Sequence, residues 1–280
     1  MATAQSPGLF RLATANLRML PDFIIIGAQK GGTSSLYQYL IQHPDVVRAQ
    51  KKEVHYFGWE YARGESWYRA HFPLRACRHR RQLLGRRSFT GEATPYYLFH
   101  PHVPERVRAL VPEVRLLVLL RNPVHRAVSS YLHQVRQGRE PLSLREALQQ
   151  EGERLAPESV RLSRDPLYKG DTHRFYSYLA RGIYADQLAR WFSVFPREQF
   201  LILRSEDFYR DTATAYAQTL AFLGLPTWQP SEFRRFNVAR KHPPDAGRDE
   251  EALRYLEAFY EPHNRRLEDL LGRDFGWSRA

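Results

Sequence analysis

Residues 23 to 35, Phe-Ile-Ile-Ile-Gly-Ala-Gln-Lys-Gly-Gly-Thr-Ser-Ser, run from a β-branched stretch into a glycine-bearing turn and then into a helical apolar period. Phe23 to Ile26 reads as a buried parallel strand, and Leu36, Tyr37, Tyr39, Leu40 and Ile41 mark the helix behind it. The backbone N–H groups of that helix start face any ligand in the turn. Gly31 and Gly32 allow close approach, Lys30 supplies charge, and Thr33, Ser34 and Ser35 supply hydroxyls. The turn is a phosphate cradle in prospect.

An ordinary nucleotide kinase needs the spacing G-x-x-x-x-G-K-[ST] and an acid that holds magnesium. Gly27 and Gly32 have the glycine spacing, but Thr33 stands where the lysine belongs, and Lys30 precedes the glycine pair. The next clear strand, Arg115 to Leu120, ends in Arg121-Asn122-Pro123 instead of an aspartate. A cation at a strand end suits a second phosphate better than a metal, so no metal is expected.

The chain has 280 residues, 43% hydrophobic and 13% aromatic, enough for one large α/β domain. No apolar run is long enough for a membrane span, and Cys77 is the single cysteine, so a reducing, cytoplasmic setting is expected. With 42 basic against 30 acidic residues the formal charge is +12, which points to an anionic partner. The densest basic stretch, Arg75 to Arg87, either lines an acceptor channel or is a solvated loop.

Residues 1 to 19 read as a loose leader and residues 20 to 280 as one domain. Lys51 to Phe57 reads as a short extended segment and Glu92 to Tyr97 as a strand end entering a turn. Helices are expected over 103–110, 123–137, 184–195 and 250–271, with a third strand at 199–203. This alternation predicts a single-domain, P-loop-like α/β fold with a central parallel sheet flanked by helices. Ligands then bind beyond the carboxyl ends of the strands, where Lys30 and Arg121 lie. Ser129 and Ser130, two turns into the helix after Arg121, bring a hydroxyl toward the same anion or bond to their own backbone.

Together, Gly27 to Thr33 and Arg121 to Ser129 resemble the nucleotide-binding motifs of sulfotransferases that use 3′-phosphoadenosine 5′-phosphosulfate (PAPS). Glu53-Val-His-Tyr-Phe57, Trp67-Tyr68, Glu92-x-Thr-Pro-x-Tyr97, Val103-Pro-Glu-Arg106 and Arg240-Lys-His-Pro243 to Trp277 look like the heparan sulfate glucosaminyl 3-O-sulfotransferases and their N-sulfotransferase relatives. The resemblance spans residues 21 to 278. It implies that Lys30, Gly31, Gly32, Thr33, Ser34 and Ser35 hold the 5′-phosphosulfate, and that Arg121 and Ser129 hold the 3′-phosphate. It further implies that Arg240 and Lys241 close over the nucleotide, and that Glu53 is the general base with His55 beside it.

The residue types suit the chemistry. A hydroxyl acceptor needs a base during attack, and a positioned carboxylate contributes about 10²- to 10⁴-fold. Glu53 fits that role, His55 competes for it, and a plain pairing of Glu53 with Lys51 or Lys52 is the structural alternative. Lys52, Trp59, Arg80, Arg81 and Glu92 are expected at the acceptor. Gly58 and Ala93 replace an aspartate and a lysine that face the acceptor in that family, and with one cysteine its disulfide-bearing loop cannot form. The expected activity is sulfuryl transfer from PAPS to a carbohydrate hydroxyl, with an anionic carbohydrate as partner. The alternatives are a small natural product or lipid headgroup as acceptor, in an aromatic-lined cleft, or a non-catalytic polysaccharide- or nucleic-acid-binding module. The chain lacks the basic-aromatic pattern of RNA binders, so no nucleic acid is expected. Missing a membrane stem, it is also not expected to be a Golgi enzyme.

Overall fold

The computed structural model describes residues 6–236 and 249–277. Four strands, Phe23–Gly27 (β1), Gly91–Ala93 (β2), Arg115–Leu120 (β3) and Phe200–Arg204 (β4), pair in parallel in the order β2-β1-β3-β4. Phe23 lies opposite Gly91 on one side and Arg115 on the other, and Leu116 lies opposite Phe200. Every β1 residue is buried, as is β3 beyond Arg115, so both strands read as continuous apolar runs without alternation. The fold class expected from the sequence is the one observed.

In chain order the helices are Leu9–Ala13 (α1), Thr33–Leu40 (α2), Glu65–Arg69 (α3), Arg75–Leu83 (α4), Val103–Leu110 (α5), Pro123–Arg136 (α6) and Leu144–Gln149 (α7). Glu151–Arg164 (α8), Asp171–Phe175 (α9), Tyr184–Phe192 (α10), Ser205–Arg210 (α11), Thr212–Leu223 (α12) and Glu250–Leu271 (α13) follow. Successive strand side chains point to opposite faces, and each face meets its own layer. Ile24, Ile26, Leu116 and Val118 pack with Val107 of α5, Leu188 and Trp191 of α10 and Leu267 of α13. On the other face Phe23, Ile25, Leu117 and Leu119 meet Leu36 and Tyr37 of α2 and Tyr216 and Leu220 of α12. Each such fully buried side chain stabilises the fold by about 1.5–3 kcal/mol. The strand tips are thereby fixed between two packed layers.

The first residues depart from expectation. Residues 9–19 are not loose: Arg11 donates to the Ala70 and Phe72 carbonyls at 2.6 and 3.1 Å, and Arg18 to Phe72 at 2.8 Å. These carbonyls just past α3 have no helical partner, and the two arginines satisfy them. Met19 is buried as a result.

The edge strand β2 is also covered. Ala93 N–H donates to the Lys52 carbonyl at 2.8 Å, and Val46 forms a parallel bridge with Phe89 just before β2. Lys51 to Phe57, expected to be extended, lies along this edge without forming a named strand.

Candidate active site

The phosphate turn is built where β1 enters α2. Gly32, the N-cap of α2, has φ 105°, and no side chain caps the helix, which leaves its first-turn N–H groups directed outward. A Cβ on Gly31 would meet the Leu119 carbonyl oxygen at 2.4 Å, so only glycine lets the turn pass this close to β3. Ser205 Oγ at the β4 tip donates to the Gly31 carbonyl at 2.6 Å, and the Arg121 guanidinium at the β3 tip donates to the Lys30 carbonyl at 3.2 Å. Three strand tips therefore fasten one turn. Lys30 itself has φ 71°, a left-handed conformation that costs a non-glycine residue on the order of 1 kcal/mol and that recurs at functional sites.

Lys30, Gly32, Thr33, Ser34, Arg121 and Ser129 all line one cleft of about 1460 Å³. Burial pushes the Lys30 ammonium down to about 8, and the nearby Arg136 and Arg121 guanidiniums push the same way against an opposing pull from Glu53. Burial among like charges thus works against the Lys30 ammonium. Gly31 serves the turn from behind the cleft wall, and Ser35 turns away from it. Ser35 is buried, its Oγ accepts from the Phe236 N–H at 3.1 Å, and it does not line the cleft, which corrects its place among the phosphate ligands.

Glu53 enters the same cleft from the segment along β2. Its Oε1 accepts from Lys52 Nζ at 2.8 Å, and the same ammonium donates to Ser34 Oγ at 2.6 Å. The simple Lys52–Glu53 pairing is thus present, but inside the cleft and tied to the phosphate turn. His55 Nε2 lies 3.4 Å from Glu53 Oε2, and the His55 ring stacks on Trp59 at 4.0 Å. Burial first, then Arg174, Lys51 and Lys52, hold His55 well below the usual imidazole range, so it is neutral beside Glu53. Its Nδ1 is buried without a partner, and Nε2 is the ring nitrogen that faces the carboxylate. The Glu53 side chain is 40% exposed against 18% for His55, so the carboxylate is the group that reaches into the cleft. His55, at φ 62°, is the second left-handed non-glycine residue of the cleft wall.

Around these groups stand residues that the sequence reading passed over. The Arg174 guanidinium sits 3.3 Å from the centre of the Trp59 ring, and burial lowers it to about 10. Gln29 Oε1 accepts from Arg181 at 2.6 Å and from Ser130 Oγ at 3.4 Å, which assigns Ser130 to Gln29 and leaves Ser129 for the cleft. Arg136 of α6 and Arg139 beyond it complete a cationic wall, in which burial, then Lys30, Arg136 and Arg139, keeps His133 down at about 4 and therefore neutral. Isolated arginines in unremarkable helices carry no motif, so only topology gathers them.

Three expected acceptor residues lie elsewhere. Glu92 is fully buried, and its carboxylate accepts from Tyr68 and Tyr97 hydroxyls at 2.8 and 3.2 Å, Thr94 Oγ1 at 2.6 Å and Val54 N–H at 3.2 Å. It braces the loop that carries Glu53 instead of touching an acceptor. Arg80 and Arg81 belong to α4, beside Asp22 and Ser88 at the starts of β1 and β2, the opposite end of the sheet from the cleft. Arg240 and Lys241 lie outside the described residues.

A family model described as sulfotransferase domain matches residues 20–244. The chain is 30% identical over 292 residues to heparan sulfate glucosamine 3-O-sulfotransferase 6 of Homo sapiens, covering 97% of this chain and 78% of that protein. It is 32% identical over 300 residues to heparan sulfate glucosamine 3-O-sulfotransferase 3A1 of Mus musculus, covering 99% and 69%. The crystal structure of a sulfotransferase from Alicyclobacillus acidocaldarius superposes with a TM-score of 0.67 at 35% identity, over 93% of this chain and all 100% of that one.

Proposed function

The chain belongs to the sulfotransferase domain family and is a PAPS-dependent transferase, and from that premise we propose that its acceptor is a hydroxyl of an anionic carbohydrate. The observation that carries this reading is the convergence of Lys30, Arg121 and Glu53 on one cleft, with Lys52 joining the phosphate turn to the carboxylate. The relatives named as heparan sulfate sulfotransferases support a carbohydrate. So does the volume, about 1460 Å³, which exceeds the roughly 300–1,000 Å³ of a single small-ligand site and leaves room for a sugar chain beside a nucleotide. The wall of Arg136, Arg139 and Arg174 supports an acidic one.

The residues present fit PAPS by their own chemistry. The uncapped first turn of α2 with Lys30, Thr33 and Ser34 would hold the 5′-phosphosulfate, and Arg121 with Ser129 the 3′-phosphate. When bound, PAPS supplies the sulfuryl group and leaves as adenosine 3′,5′-bisphosphate. Glu53 accepts the proton of the acceptor hydroxyl at its carboxylate. Lys52 and His55 orient that carboxylate, and Lys30 Nζ holds a proton beside the phosphate where negative charge gathers.

The test incubates the chain with sulfur-labelled PAPS and a panel of sulfated and neutral glycans, phenols and lipids. Label appearing on an anionic glycan hydroxyl is the expected result. Label appearing only on phenols or lipids overturns the carbohydrate acceptor.

A further inference from the structure

Helix α4 buries none of its residues. Arg78 and Arg81, three residues apart and therefore on one face, hold it to the body. Arg78 grips both Asp22 carboxylate oxygens at 2.6 Å and the Ser88 carbonyl at 3.0 Å, while Arg81 donates to the Pro44 and Arg87 carbonyls. The opposite face, with Ala76, His79, Arg80 and Leu83 at helical spacing, is left to solvent. The Arg80 and Arg86 side chains make no hydrogen bond or ion pair among the described residues. From Arg75 through Arg87 the chain has six arginines, one histidine and no acid.

Apolar side chains are exposed near both ends of this helix. Leu83 and Leu84 are 75% and 69% exposed. Arg75 donates to the Asn16 carbonyl, which brings the first segment against the start of α4, and there Leu9, Phe10 and Leu17 are 87%, 68% and 62% exposed. A solvated basic helix does not need five protruding large hydrophobic groups beside it. Among the described residues no helix is long and apolar enough to cross a membrane.

We propose that this face, α4 together with α1 and Leu17, docks on an anionic lipid bilayer. Arg80, Arg86 and their neighbours pair with headgroup phosphates, while Leu83, Leu84, Leu9 and Phe10 enter the acyl boundary. A nucleic acid matches the charge but gives the leucines nothing to enter, and Phe10 is the only aromatic ring among the protruding groups. Because α4 lies at the strand starts and the cleft at the strand ends, a docked molecule keeps its cleft open to solution. The transferase is then held at a membrane surface with its cleft turned to solution. This surface is independent of the acceptor proposed above.

Sedimentation of the whole chain with phosphatidylcholine vesicles, with and without about one quarter phosphatidylserine, tests the docking. The chain pellets with the anionic vesicles and at least about tenfold less with the neutral ones. The pair Arg80→Glu and Arg86→Glu, and separately the pair Leu83→Ser and Leu84→Ser, each weaken binding by about tenfold or more. Both keep the parent's thermal midpoint and its affinity for adenosine 3′,5′-bisphosphate. No pelleting at about 0.15 M salt overturns the proposal. Leucine variants that bind as well as the parent overturn it too, as does preferential capture of a nucleic-acid duplex.

Discussion

The Arg121 guanidinium donates to the Lys30 carbonyl oxygen at 3.2 Å. The two cationic segments that the sequence sets ninety-one positions apart thus share one pocket rim. Replacing either Lys30 or Arg121 with Ala removes a charge-assisted contact, so the affinity for adenosine 3′,5′-bisphosphate falls about ten- to a hundredfold. Calorimetric titration measures this, and unaltered affinity removes the cradle.

Burial and two arginines bring the Lys30 ammonium down to about 8. An anionic nucleotide prefers the charged form, so affinity is level below that pH and declines above it, by at most about tenfold per unit. In Lys30→Arg, which stays charged, the decline is absent. A flat profile for the parent between neutral and pH ~9.5 contradicts this account of the lysine.

Glu53→Gln keeps the shape and loses the base. Turnover drops by about 10²- to 10⁴-fold while nucleotide affinity stays within about twofold. Equal loss of both makes Glu53 structural. Lys52→Met frees the carboxylate from Ser34 and lowers turnover as well, whereas Lys52→Arg restores part of it.

Glu92→Ala strands two tyrosine hydroxyls, one threonine hydroxyl and the Val54 N–H in a dry site, at a cost of roughly 3 kcal/mol or more. For a chain of this size that lowers the thermal midpoint by about 5–10 °C. Burial lifts the Glu92 acid to about 7, above its unfolded value of 4.5. Its share of stability is therefore complete below about pH 4.5 and is lost as pH rises through about 7. The gap between parent and variant, followed by thermal scans, narrows across that window; a gap that widens refutes the assignment.

The sequence was most legible where backbone conformation and burial act locally. The β-branched run at Phe23 and the leucine run at Leu116 had to be buried strands, and Asn122-Pro123 had to open a helix, with the Asn122 side chain accepting from Val124 and His125 N–H. The cradle and Arg121 followed from strand ends. Ser35, Glu92 and Arg80 were misplaced because a motif names a neighbourhood, while the direction of a side chain depends on what packs behind it. Arg174 and Arg181 were missed altogether: they reach Trp59 and Gln29 only once α9 and the residues after it pack on Tyr96 and Phe99. Residues 9–19 looked idle because their partners, the carbonyls past α3, are backbone atoms that no sequence pattern displays.

The hydrogen bond from Ala93 to the Lys52 carbonyl gives the loop that carries Glu53 a second duty. An uncovered outer strand invites another molecule to add its own strand, and here the Glu53 segment occupies that position itself. Changes made to retune acceptor choice along Lys51 to Phe57 therefore put solubility at stake, and self-association is the first failure to look for in an engineered library.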